Sequence, residues 1–144
     1  MPPKRISVTL SERTHAVIES KSENFDGNIS GTIERLVSRY TDLLRREASN
    51  LDKMFSDGEK GLILDALNGT GFFDSFGIYM VAAEIADAIS MDRLDVKWKV
   101  DGKELVAKLE SLNNGQMHAL VDSVQTWWNA TTKQQMEYSQ LFRI

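Results

Sequence analysis

The chain has 144 residues, 17 Lys/Arg against 21 Asp/Glu, a formal net charge of −4 and 42% apolar residues, enough for a packed core without cross-links and sized for one domain or two small ones. With no cysteine, disulfide frameworks, thiolate metal sites and cysteine nucleophiles are excluded. Met1-Pro2-Pro3-Lys4 has no apolar block behind it, and the longest apolar run, 76–83, is closed by Glu84 and Asp87 well short of a membrane span, so the expectation is a soluble cytoplasmic protein without a membrane partner.

From Arg5 to Leu10 the residues alternate, Ile6, Val8 and Leu10 on one face and Arg5, Ser7 and Thr9 on the other, which predicts a short β-strand. Ser11 then offers an N-cap oxygen for a helix over about 12–24, and Asp26-Gly27-Asn28 breaks it. Ser30 is the expected cap of a second helix ending near Ala48, in which Ile33, Leu36, Val37, Tyr40, Leu43 and Leu44 form one apolar stripe. Beyond Ser49 every segment reads as helix: 57–68, 73–90, 102–112, 115–129 and about 132–142. Ser56-Asp57-Gly58-Glu59 and Asp101-Gly102-Lys103-Glu104 mark two starts, each with a carboxylate three residues after a capping oxygen. The 73–90 segment is apolar nearly all round and is expected at the centre of this half. The organisation is thus an N-terminal domain over 1–48, a junction over 49–56 and a helical domain over 57–144.

Net negative charge disfavours nucleic-acid binding, because phosphate contacts need local positive potential. The charge is unevenly spread, however: residues 1–48 carry eight Lys/Arg against seven acids, and residues 49–144 carry nine against 14. A lone six-residue strand also needs a partner, since its backbone groups and apolar face would otherwise be unsatisfied. No second strand is visible in the chain, so the simplest partner is the same strand of another copy, paired antiparallel about a twofold axis.

In the order strand, helix, turn, helix, with Lys4-Arg5-Ile6-Ser7-Val8-Thr9-Leu10-Ser11-Glu12, the Gly27-Asn28-Ile29-Ser30 turn and the stripe of the second helix, residues 4–47 resemble the ribbon-helix-helix (Arc/MetJ-type) DNA-binding proteins of bacteria, phages and plasmids. The resemblance implies a mainly α fold with one short strand, an intertwined homodimer, and a two-stranded ribbon entering the major groove of double-stranded DNA. It implies base contacts by Arg5, Ser7 and Thr9, and phosphate contacts by Lys4, Ser30, Gly31 and Thr32. Ile6, Val8, Leu10, Ile33, Leu36, Val37 and Tyr40 would form the dimer core. A groove about 12 Å wide admits such a ribbon, and Arg pairs bidentately with guanine.

The remaining features read as structural. His15 and His118 lie far apart without ligand-spaced carboxylates, which argues against a metal site, and His15 is expected half-buried in its helix. Asn68-Gly69-Thr70-Gly71 lacks the preceding strand and the Lys-Ser/Thr of a phosphate loop, and Glu84 with Asp87 reads as a solvated stripe rather than an acid–base pair. Adjacent Trp127 and Trp128 point about 100° apart on a helix; core packing is favoured over partner binding. The expected function is therefore transcriptional regulation by operator binding, as a repressor, with no enzymatic chemistry and no cofactor. The alternative is an antitoxin or protein antagonist that represses its own promoter and binds a protein partner through the helical domain. That domain is also open to joining dimers on adjacent half-sites or sensing a ligand.

Overall fold

The computed structural model describes residues 4–5, 7–68, 80–130 and 137–143. The chain divides into two compact units, Met1–Thr41 and Asp42–Ile144. The first contains α1 (Glu12–Ser22), a 3-10 turn (Glu23–Phe25) and the start of α2 (Ile29–Met54). Asp26 (φ 55°) and Gly27 (φ 73°) occupy the left-handed region between the two helices, a conformation that ends the first of them. The expected junction at 49–56 is helical as far as Met54, and the division between units falls inside α2.

The expected β-strand is not there. Residues 7–10 take neither strand nor bridge structure, and no strand occurs among the described residues, which are helix, turn and irregular chain. The mainly α reading with a ribbon is thereby corrected. A strand persists only where its backbone groups are paired, and no other described segment of this chain takes β structure that would pair with residues 7–10.

The second unit holds the core. It continues with α3 (Asp57–Ala66), α4 (Val81–Asp92), α5 (Leu94–Trp98), α6 (Gly102–Ser111), α7 (Asn114–Asn129) and a C-terminal 3-10 turn (Tyr138–Arg143). Helix α3 packs against α4, α5 and the C-terminal turn, while α4 packs against α5 and α6. The predicted starts at Ser56 and Asp101 are realised. Ser56 Oγ accepts from the Glu59 amide at 3.2 Å while Glu59 Oε1 accepts from the Ser56 amide at 2.8 Å. Asp101 Oδ1 accepts from the amides of Lys103 and Glu104 at 3.1 and 3.2 Å. A capping box between Asn113 and Gln116 opens α7.

Among the described residues the centre of this unit is α3; of the 73–90 segment expected there, 73–79 lies outside the described residues. Glu59 through Leu64 are all buried, whereas α4 buries only Val81 and Ile85 and leaves Met91 80% exposed. Two features bring α3 inside. Gly61 lacks a side chain where the Trp98 indole lies against the helix: a Cβ there would stand 2.3 Å from Trp98 Cζ3. Its two buried charges are also paired, Lys60 with Asp52 at 2.7 Å and Glu59 with Lys108 at 2.8 Å. Lys108 Nζ donates in addition to the Met54 carbonyl at 3.1 Å, satisfying an otherwise open acceptor at the end of α2. Helix α5 was not anticipated. It is bracketed by Arg93 and Lys99, both at φ 54°, and Trp98 Nε1 donates from it to Asp65 Oδ2 at 3.0 Å. Among the described residues no helix is long and apolar enough to cross a membrane.

Candidate nucleic-acid interface

The interface expected from the sequence begins with Lys4, Arg5, Ser7 and Thr9. All four are exposed and lie in non-helical chain ahead of α1. Ser11 closes this arm as the cap of α1: its Oγ accepts from the Thr14 amide at 3.2 Å and donates to Thr14 Oγ1 at 3.0 Å. Glu12 follows in the first turn, where a carboxylate suits the positive helix end.

At the start of α2 the cap is Asn28, not Ser30. The Gly31 amide donates to Asn28 Oδ1 at 3.0 Å, and the Thr32 amide and hydroxyl donate to the Asn28 carbonyl at 2.9 and 2.6 Å. Gly31 makes room for this cap, because a Cβ there would stand 3.1 Å from Asn28 Nδ2. The amides of Gly31 and Thr32 thus already have acceptors, and Thr32 is fully buried. Ser30, exposed in the first turn, is what remains of the expected phosphate clamp. Asx caps and serine caps have the same chemistry, so the sequence Asn28-Ile29-Ser30 offered both and the backbone selected the earlier one.

The residues expected to form a dimer core are largely in solvent. Val8 is 65% exposed, Val37 60%, Tyr40 48% and Leu10 39%; Ile33 and Leu36 are half-buried, and Ile6 lies outside the described residues. Val17 and Ile29 add 49% and 43% exposure. The buried residues described in this unit are Ile18, Ser22 and Thr32. A unit of this composition exposes much of its apolar surface instead of packing it.

Arg35 and Arg39, one turn apart on α2, are both exposed, and their i, i+4 spacing puts them on one side of the helix. Over residues 1–41 six Lys/Arg stand against five acids; over 42–144 the balance is 11 against 16. His15 is exposed rather than half-buried, with Nδ1 3.4 Å from Glu19 Oε1.

In the second unit Trp127 is 3% exposed, belongs to the buried core and lies in a tilted ring arrangement 5.9 Å from Tyr138. Trp128 is half-buried against the same core. Glu84 is half-buried and Asp87 exposed; Gly69-Thr70-Gly71 lies outside the described residues. Among the described residues no three His, Cys, Asp or Glu side chains are placed to share a metal ion. No protein-family model, curated protein or solved structure matches the chain.

Proposed function

We propose that the protein is a DNA-binding transcriptional regulator, acting as a repressor by occupying its operator as a homodimer. The observation that carries this reading is the uncovered apolar surface of the first unit, where Val8, Leu10, Val17, Ile29, Val37 and Tyr40 are exposed and little is buried. Such a surface is stable in water when a second copy covers it, and a twofold pair of copies presents each cation twice. Lys4 and Arg5, with the hydroxyls of Ser7 and Thr9, are available to DNA on the exposed arm, and Ser30 stands at the positive end of α2. This reading uses no β-ribbon; it requires only the exposed arm, the helix start and self-association.

The test is selection of duplexes from a random pool by the full-length protein, together with sedimentation across a concentration series. The expected result is a dimer and enrichment of a sequence with twofold-related half-sites. A monomer, or a selected pool no different from the input, would overturn the reading. A dimer that selects no DNA but holds a small protein through its helical unit would favour the protein-antagonist alternative.

A further inference from the structure

One face of α2 stays in solvent from Arg35 to Lys53. At about 100° per residue, Arg35, Arg39, Arg46 and Lys53 fall within about 40° of one line along the helix, and Arg45 borders that line. All five are exposed. Leu44, Ala48 and Leu51 occupy the opposite side and pack into the core, so burial of one side of the helix fixes the other outward.

The acids of α2 are placed differently. Asp52 is bound by Lys60 and Arg143 at 2.7 and 3.0 Å. The Glu47 side chain is 13% exposed, accepts from Asn50 Nδ2 at 3.2 Å and has Arg46 Nε 3.7 Å away. Glu34 beside the face and Asp42 on it are the exposed acids that stand against the five cations. In a chain of net charge −4, positive charge is thus gathered along about 27 Å of helix, at a rise of about 1.5 Å per residue. An array of that length fits an extended polyanion. Duplex DNA carries one phosphate charge per about 1.7 Å of its axis, and each charge neutralised by a protein cation releases condensed counterions.

We infer that this face of α2 holds the DNA backbone, as a contact separate from the arm at Lys4, Arg5, Ser7 and Thr9 and from Ser30. The contact is blind to base sequence: it adds affinity for every duplex and no discrimination between them. DNA is favoured over an anionic membrane because a helix lying in a bilayer surface buries apolar side chains there, whereas Ser38, Asp42, Ser49 and Asn50 are what stands among these cations. The inference rests on the DNA-binding reading and adds to it the part of the protein that supplies sequence-independent affinity.

The experiment titrates three full-length proteins against the selected duplex and a random duplex, by fluorescence anisotropy at salt concentrations from about 50 to 200 mM. They are the wild type, Arg39→Gln/Arg46→Gln/Lys53→Gln, and Arg93→Gln/Lys99→Gln/Lys103→Gln, which removes the same charge from exposed positions outside α2. The α2 variant should bind both duplexes about tenfold or more weakly at the lowest salt, keep the preference for the selected one, and lose about one unit of salt slope per cation removed. Its melting curve should be unchanged, the control should bind as wild type, and Arg39→Lys/Arg46→Lys, which keeps the charge, should do the same. Wild-type affinity and salt slope in the α2 variant would overturn the inference and leave the DNA-binding reading standing; a wild type that binds no duplex would overturn both. Equal losses in the control would assign the effect to net charge and overturn it as well. So would an α2 variant that loses binding to phosphatidylserine vesicles while holding DNA as wild type does. If the triple variant does not fold, Lys53→Gln alone decides, by whether about one unit of salt slope is lost.

Discussion

Lys60 Nζ lies 2.7 Å from Asp52 Oδ1, with the lysine side chain 2% exposed and the aspartate 20%. The other Asp52 oxygen accepts from Arg143 Nε at 3.0 Å, and Lys60 also reaches the Ser139 carbonyl at 3.4 Å. One carboxylate therefore ties the end of α2 to α3 and to the C-terminal turn. Removing it leaves the buried ammonium with only the Ser139 carbonyl and, at 3.8 Å, the exposed Asp57 carboxylate, which costs more than the pair itself contributes. Asp52→Ala is expected to destabilise the protein by about 3 kcal/mol, whereas Lys60→Met, an apolar side chain of similar length, costs less than about 1.5 kcal/mol. Urea unfolding of the two variants checks the order; equal losses would mean that the pair and not the stranded charge sets the cost.

Acid should unfold the protein partly through two carboxylates. For Asp52, burial acts to raise the pKa, but hydrogen bonds from Lys60 and Arg143 and the charges of both outweigh it and hold the group below 3.8. For Asp65, burial acts the same way and is outweighed by hydrogen bonds from Lys97 and Trp98 and by the Lys97 charge. A carboxyl depressed on folding contributes stability that is fully present above its unfolded pKa, about 3.9, and is lost as pH falls through the folded value. Urea midpoints of the wild type should be flat from neutral pH to about 5 and drop below about 4. The Asp52→Asn/Asp65→Asn protein should start lower at neutral pH and drop less steeply. An identical acid slope in both proteins would remove these two groups from the account.

Gly61→Ala should be far more damaging than an exposed helix glycine substitution, where alanine normally helps. The new Cβ would stand within 2.3–2.8 Å of three Trp98 ring carbons, and overpacking of this kind costs about 1–3 kcal/mol. The indole would have to leave its place on α3 and its bond to Asp65. Loss of stability with a shifted tryptophan emission is the expected result; a neutral or stabilising effect would show that α5 yields freely.

Capping at the start of α2 separates Asn28 from Ser30. Asn28→Ala removes the acceptor of the Gly31 amide and is expected to cost about 0.5–2 kcal/mol. Ser30→Ala, at an exposed first-turn position, should change stability by less than about 0.5 kcal/mol. If Ser30 contacts phosphate, Ser30→Glu weakens operator and random duplexes together at low salt with melting unchanged. Thermal melts and duplex titrations of the three variants give both readings; a large stability loss in Ser30→Ala would return the cap to that residue.

The sequence by itself determined the helices of the second unit closely where a local rule acts. Ser56 with Glu59 and Asp101 with its following amides start helices because the groups involved are two or three residues apart and need no other part of the chain. The apolar stripe of α2 was legible for the same reason, although its continuation to Met54 was not. What lay beyond local rules was decided by tertiary structure. Strand formation at 7–10 depends on a pairing partner, and the alternation of side chains specifies a face without supplying one. The burial of Lys60 and Glu59 is not written in their own segment: Asp52, at the end of the preceding helix, and Lys108, 49 residues on from Glu59, pair with them in the interior. The central place of α3 rests on Gly61, whose missing side chain acquires meaning only once Trp98 lies against it.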